Sequence, residues 1–125
     1  MEKLAMVALG GALGAVLRWL GAGWVGRLTG EGWLGTAFVN VTGSFVMGVL
    51  AVLMMERMPG SWGRFAPFLM TGVLGGFTTF SAFSLDTLSL VERGRVGVAA
   101  AYVAGSVALS LLALFAGLRL ARGLA

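Results

Sequence analysis

The groups in this chain that could do chemistry are neutral. Asn40 has Thr36 four residues before it and Ser44 four after, so on a helix the three share a face. Tyr102, Ser106 and Ser110 repeat the same spacing and line one face with hydroxyls. An Asn amide has two N–H donors that cannot be titrated away, and each hydroxyl adds another. The two stripes, on different helices, match in character: both are neutral, small and rich in donors, which favours a functional role. The same residue types also tie helices together, and Ser can satisfy itself on the carbonyl one turn back. Spacing alone leaves both readings open.

A third stretch is less ordinary. Residues 72–84 read Gly-Val-Leu-Gly-Gly-Phe-Thr-Thr-Phe-Ser-Ala-Phe-Ser. Three glycines followed by two β-branched threonines make a poor helix interior. A helix broken inside a membrane is tolerated only where the freed backbone groups find partners or line a wet cavity. Freed carbonyls are hard oxygen ligands for a cation. Phe80 and Phe83, three apart, share a face; their ring edges carry partial positive charge that can stabilise an anion without trapping it. A Phe stripe also reads as core or lipid-facing surface.

These residues need elements to hold them, and composition says which. Of 125 residues, 58% are hydrophobic and 11% charged, with no Cys and no His, and the mean hydropathy is +0.95. A soluble domain carries roughly a quarter of its residues as charges. The composition therefore excludes a soluble enzyme, a disordered chain and a disulfide scaffold, and most metal and nucleophile chemistries lack their side chains. An all-α integral membrane protein remains, with residues 1–125 forming a single transmembrane domain. Four apolar windows give helices at about residues 4–26, 33–55, 65–90 and 96–118, the third broken at mid-membrane. Each exceeds the roughly 20 residues that a span requires. The windows are continuous, which excludes transmembrane strands. The connectors are short, so function must reside within the helices.

Net charge is +4, but the basic residues are scattered over the helix ends. That pattern fits anchoring to lipid headgroups rather than a nucleic-acid surface. With the N-terminus inside, five basic residues (Lys3, Arg57, Arg64, Arg119 and Arg122) face three or four outside (Arg27, Arg93 and Arg95, with Arg18 near that side). This is a weak bias, compatible with a fixed topology or with insertion both ways up. Small-xxx-small spacing at Gly10/Gly14, Ser44/Gly48 and Gly72/Gly76 permits close helix approach. With so few helices, this favours an oligomer, most simply a dimer.

The motifs resemble those of the Fluc (CrcB) fluoride channels. The resemblance is carried by Gly10–Trp19 with its Gly-Gly-Ala-Leu-Gly and Arg18, by Val39–Gly48, and by Gly75–Ser84. It runs across all four spans. Two positions depart from the family pattern, Ala82 where Thr is frequent and Asp86 where Glu is frequent. The resemblance implies an antiparallel, dual-topology homodimer in the inner (plasma) membrane, exporting cytoplasmic fluoride passively through two pores along its interfaces. Asn40 would donate to the anion, Phe80 and Phe83 would present ring edges, and Tyr102, Ser106 and Ser110 would line the route with Thr79 and Ser81 nearby. The carbonyls of Gly75 and Thr78 from both copies would hold a structural Na⁺ on the two-fold axis. Arg18 would sit toward a vestibule or anchor the fold. The competing reading is a proton-coupled exporter of the small multidrug type. It requires a membrane-embedded carboxylate, but the first span has none and Asp86 lies near the end of the third.

Overall fold

The computed structural model describes residues 1–124. The chain is a multi-pass, all-helical membrane protein, with four segments long and apolar enough to cross a bilayer. They comprise α1 (Glu2–Thr29), α2 (Gly32–Arg57), a divided third span, and α5 (Val96–Leu124). The third span runs Gly63–Glu92 and consists of α3 (residues 63–77) and α4 (Phe80–Glu92). Much of α3, Pro67–Leu74, is wound with the wider π spacing, as is the end of α2. The 28 residues of α1 rise about 42 Å. That exceeds the roughly 30 Å of hydrocarbon, so the helix tilts or its ends enter the headgroup layer.

Two turns need a left-handed residue, and both are glycine. Gly30 (φ 74°) closes α1 by donating its N–H to the Gly26 carbonyl. Gly94 (φ 78°) follows α4, where the Arg95 N–H reaches the Leu90 carbonyl at 2.8 Å.

The helices meet along backbone seams. A Cβ on Gly10 would strike the Phe68 carbonyl of α3, one on Gly14 the Val73 carbonyl, and one on Gly76 would lie 2.6 Å from the Gly11 carbonyl. Gly35 of α2 presses on Ala22 of α1 in the same way. Gly48 of α2 and Gly117 of α5 press on the Leu114 and Phe45 carbonyls across their shared interface. The glycine pairs of the sequence are therefore engaged within one chain: the Gly10/Gly14 pair faces α3, and the Gly72 and Gly76 pair faces α1. They carry no argument for a second copy. In lipid, where apolar burial drives little association, such contacts and hydrogen bonds hold the bundle together.

Few side chains are buried against protein. Val39, Val52 and Leu90 are fully enclosed, and one cluster joins Leu90, Ala99 and Tyr102 with Trp33 and Phe83 around it. Large apolar residues such as Leu9, Trp19, Leu111 and Leu112 are exposed, as a surface solvated by acyl chains requires.

Candidate functional site

The third span breaks at Thr78 and Thr79, whose backbones are extended (φ −88°, ψ 154° and φ −151°, ψ 120°). β-branched residues favour that conformation, and neighbouring side chains hold it. Asn40 of α2 accepts the Thr79 N–H at 2.7 Å and donates from Nδ2 to the Thr79 carbonyl at 3.0 Å. Thr79 caps α4, its Oγ1 accepting the Ala82 N–H at 3.1 Å. Thr78 turns its hydroxyl back to the Leu74 carbonyl at 2.9 Å. Arg18 Nε, from α1, donates to the Gly76 carbonyl at 3.0 Å.

Beside the break lies a groove of about 390 Å³. Asn40, Ser44, Thr78, Thr79, Phe80, Phe83, Ser106 and Ser110 line it, with an apolar wall from Met47, Val107, Leu111 and Leu114. Ser106 is 8% exposed, and its Oγ has no hydrogen-bond partner. An orphaned buried hydroxyl is costly unless something else meets it. Asn40 gives one amide hydrogen to Thr79 and keeps the second. Phe80 and Phe83 lie with ring centroids 5.5 Å apart at 48°, and Phe80 is 78% exposed. The groove thus presents neutral donors and aromatic rings, with no charged side chain among its lining residues.

The structure gathers most of the sequence candidates here, while Arg18, Thr36, Gly75, Ser81 and Tyr102 lie outside the groove lining. Tyr102 is buried outside the groove. Its hydroxyl donates to Asp86 Oδ2 at 3.3 Å, and its ring packs against Phe83 at 5.1 Å and Trp33 at 5.4 Å. Thr36 donates to the same Asp86 oxygen at 2.6 Å. Spacing alone puts Thr36 in the Asn40 stripe and Tyr102 in the serine track; the Asp86 carboxylate draws both hydroxyls toward α4 instead. Ser81 is also outside the groove lining, exposed, with its Oγ 3.3 Å from Thr79 Oγ1. Arg18 lines a second cavity of about 410 Å³ with Trp19 and Arg27.

Sequence reasoning missed the Thr36–Asp86–Tyr102 network and the apolar wall from α5. Asp86, an acid inside an otherwise neutral span, was the available signal for the network. Nothing in the spacing singles out Val107, Leu111 and Leu114 from other lipid-compatible residues.

Residues 5–118 match the family described as "CrcB-like protein, Camphor Resistance (CrcB)". The chain belongs to the CrcB family. Among CrcB relatives, a protein of Cereibacter sphaeroides (strain ATCC 17029 / ATH 2.4.9) is 56% identical over 124 residues, covering 98% of this chain and 97% of its own. One from Rhizobium meliloti (strain 1021) is 50% identical over 125 residues, covering 99% of each. One from Rhodospirillum centenum is 53% identical over 131 residues, covering 98% and 97%. All three carry the name "Fluoride-specific ion channel FluC". The CrcB match spans the groove, the break and the Arg18 contact together.

Proposed function

We propose that this protein is a fluoride-selective passive channel and not an enzyme. It resides in the plasma membrane, as the bacterial source of its relatives implies, and exports cytoplasmic fluoride that entered as neutral HF. The observation that carries the reading is the buried, unpartnered Ser106 hydroxyl at a groove of neutral donors, in a chain whose full-length relatives are named as fluoride channels.

Fluoride is small and strongly hydrated, so a path for it must supply several donors in place of water. The free Asn40 amide hydrogen, Ser106 and Ser110 supply them, and the edges of Phe80 and Phe83 add weaker positive potential. Selectivity follows from diameter and donor lining: the lining donors take the place of fluoride's water, while the absence of a fixed cation in the lining lets fluoride leave. Ser81 and Tyr102 act from outside the groove, Ser81 beside Thr79, and Tyr102 by fixing Phe83 and Asp86. Arg18 acts at the break and at the neighbouring cavity.

One chain leaves this groove open, with the Phe80 ring exposed at it. A second copy closes it, and an antiparallel homodimer makes two equivalent paths. The weak charge bias of the loops permits that arrangement.

The Gly75 and Thr78 carbonyls fit a structural Na⁺. They are uncharged, hard oxygens at the break. Their usual helix donors, the Thr79 and Ala82 N–H groups, go to Asn40 and to Thr79 Oγ1 instead. A hard cation is held by several oxygens, more than one chain's two carbonyls supply, and a matching pair from a second copy would bring the number to four. The ion would fix the two copies at the break.

Purified protein in liposomes loaded with fluoride tests the channel reading by electrode. Rapid release without a proton gradient is the expected result. Gradient-driven movement of a cationic drug with no fluoride release would establish the multidrug exporter instead; the names of the CrcB relatives do not favour that outcome.

A further inference from the structure

We infer that Asn40 and Thr79 are positioning residues for the cation site, in addition to lining the groove. Their side chains divert the two amide hydrogens that would otherwise close helix turns on its carbonyl ligands. The inference rests on the Na⁺ reading above.

In a continuous helix the N–H of residue i bonds the carbonyl of residue i−4. The Thr79 N–H would then close on Gly75, and the Ala82 N–H on Thr78. Neither does. Asn40 Oδ1 takes the first at 2.7 Å, and Thr79 Oγ1 takes the second at 3.1 Å. Of the carbonyls around them, Leu74 is engaged by the N–H and hydroxyl of Thr78, Gly76 by Arg18, and Thr79 by Asn40 Nδ2, while Phe77 loses its helix donor at the break without any side chain diverting it. At the two proposed ligands the donor is held by a side chain instead, the Gly75 donor by Asn40 and the Thr78 donor by Thr79.

The pairing has a chemical logic. A carbonyl that accepts an N–H has one lone pair fewer to offer a cation. A membrane interior offers no water to compete for the N–H, so without a diverting acceptor the turn would close. The acceptor function alone does the diverting. Asn40→Asp keeps an oxygen for the Thr79 N–H, and Thr79→Ser keeps the cap. Asn40→Ala and Thr79→Val remove the acceptor in each case.

The test is equilibrium binding of ²²Na⁺ to the purified full-length protein in detergent, run beside fluoride efflux from liposomes. Asn40→Ala and Thr79→Val are expected to weaken Na⁺ binding about tenfold or more, the usual scale when a group supporting a metal ligand is lost. Asn40→Asp and Thr79→Ser are expected to bind Na⁺ as wild type does, while Asn40→Asp loses fluoride flux because its donor is gone. This split between cation binding and flux is one that a merely structural role would not produce. Wild-type Na⁺ affinity in both Asn40→Ala and Thr79→Val would overturn the inference. A wild-type protein that binds no Na⁺ would instead overturn the cation reading on which it rests. Should Asn40→Ala fail to fold, Thr79→Val against Thr79→Ser decides alone.

Discussion

Arg18 and Gly76, 58 residues apart in sequence, meet through one hydrogen bond from Nε to the carbonyl oxygen at 3.0 Å. The bond sets a cation against the end of α3, where unsatisfied carbonyls and the helix dipole make the site negative. It therefore holds α1 to the broken span as well as placing a charge near the groove. Lys keeps the charge but presents no planar, fixed N–H at that position.

Arg18→Gln and Arg18→Lys should both lower the thermal stability of the detergent-solubilised protein, by about 1–3 kcal/mol for a part-buried carbonyl deprived of its partner. Fluoride efflux should fall in both. Full stability and flux in Arg18→Lys would show that only the charge matters.

Ser106→Ala should behave in the opposite way. Its hydroxyl is buried without a partner, so its removal should leave stability within about 1 kcal/mol of wild type or raise it. Fluoride flux should drop because a donor leaves the groove. A destabilised variant with normal flux would return Ser106 to helix packing.

Phe80→Ile and Phe83→Ile preserve apolar bulk but remove the ring edge. Efflux should fall about tenfold or more, equivalent to about 1.4 kcal/mol at the barrier, with the size-exclusion profile unchanged. Because the Phe83 ring also packs on Tyr102 at 5.1 Å, its variant should lose some stability. The exposed Phe80 should not.

At the membrane surface, Arg95 lies 2.9 Å from Glu31 and, by hydrogen bonding, holds its carboxyl below the ordinary value of 4.5. Since folding lowers this pKa, the contribution of the pair is complete above that value and is lost as pH falls through the folded one. Thermal unfolding followed from pH 7 downward should therefore show a small acid-side loss that Glu31→Gln abolishes. The pair is only half-buried, so the step is modest.

The architecture was legible because lipid imposes a simple rule on sequence. Charge-free windows long enough to span are helices, and three glycines with two threonines do not make one. Asn40, Ser106 and Ser110 stood out because a polar residue in a span needs a reason. Tyr102 misled because its period is that of the serines, while its longer side chain reaches a different partner. An acid on another helix cannot be read from periodicity. The glycine pairs likewise announced close contact without saying with what: their partners were helices of the same chain.

Those backbone seams bear on how finely the groove, if it is the fluoride path proposed above, can measure an ion. Where Gly10, Gly14, Gly48, Gly76 and Gly117 meet a neighbour, no side chain stands between the helices. Spacing there is fixed by main-chain atoms in contact, with no rotamers to hop on the picosecond-to-nanosecond timescale. Fluoride and chloride differ in radius by less than the excursion of one mobile side chain, and a gauge for that difference cannot be made of parts that fluctuate more than the quantity measured. A frame without rotamers keeps its dimensions, leaving the few groove residues to do the discriminating.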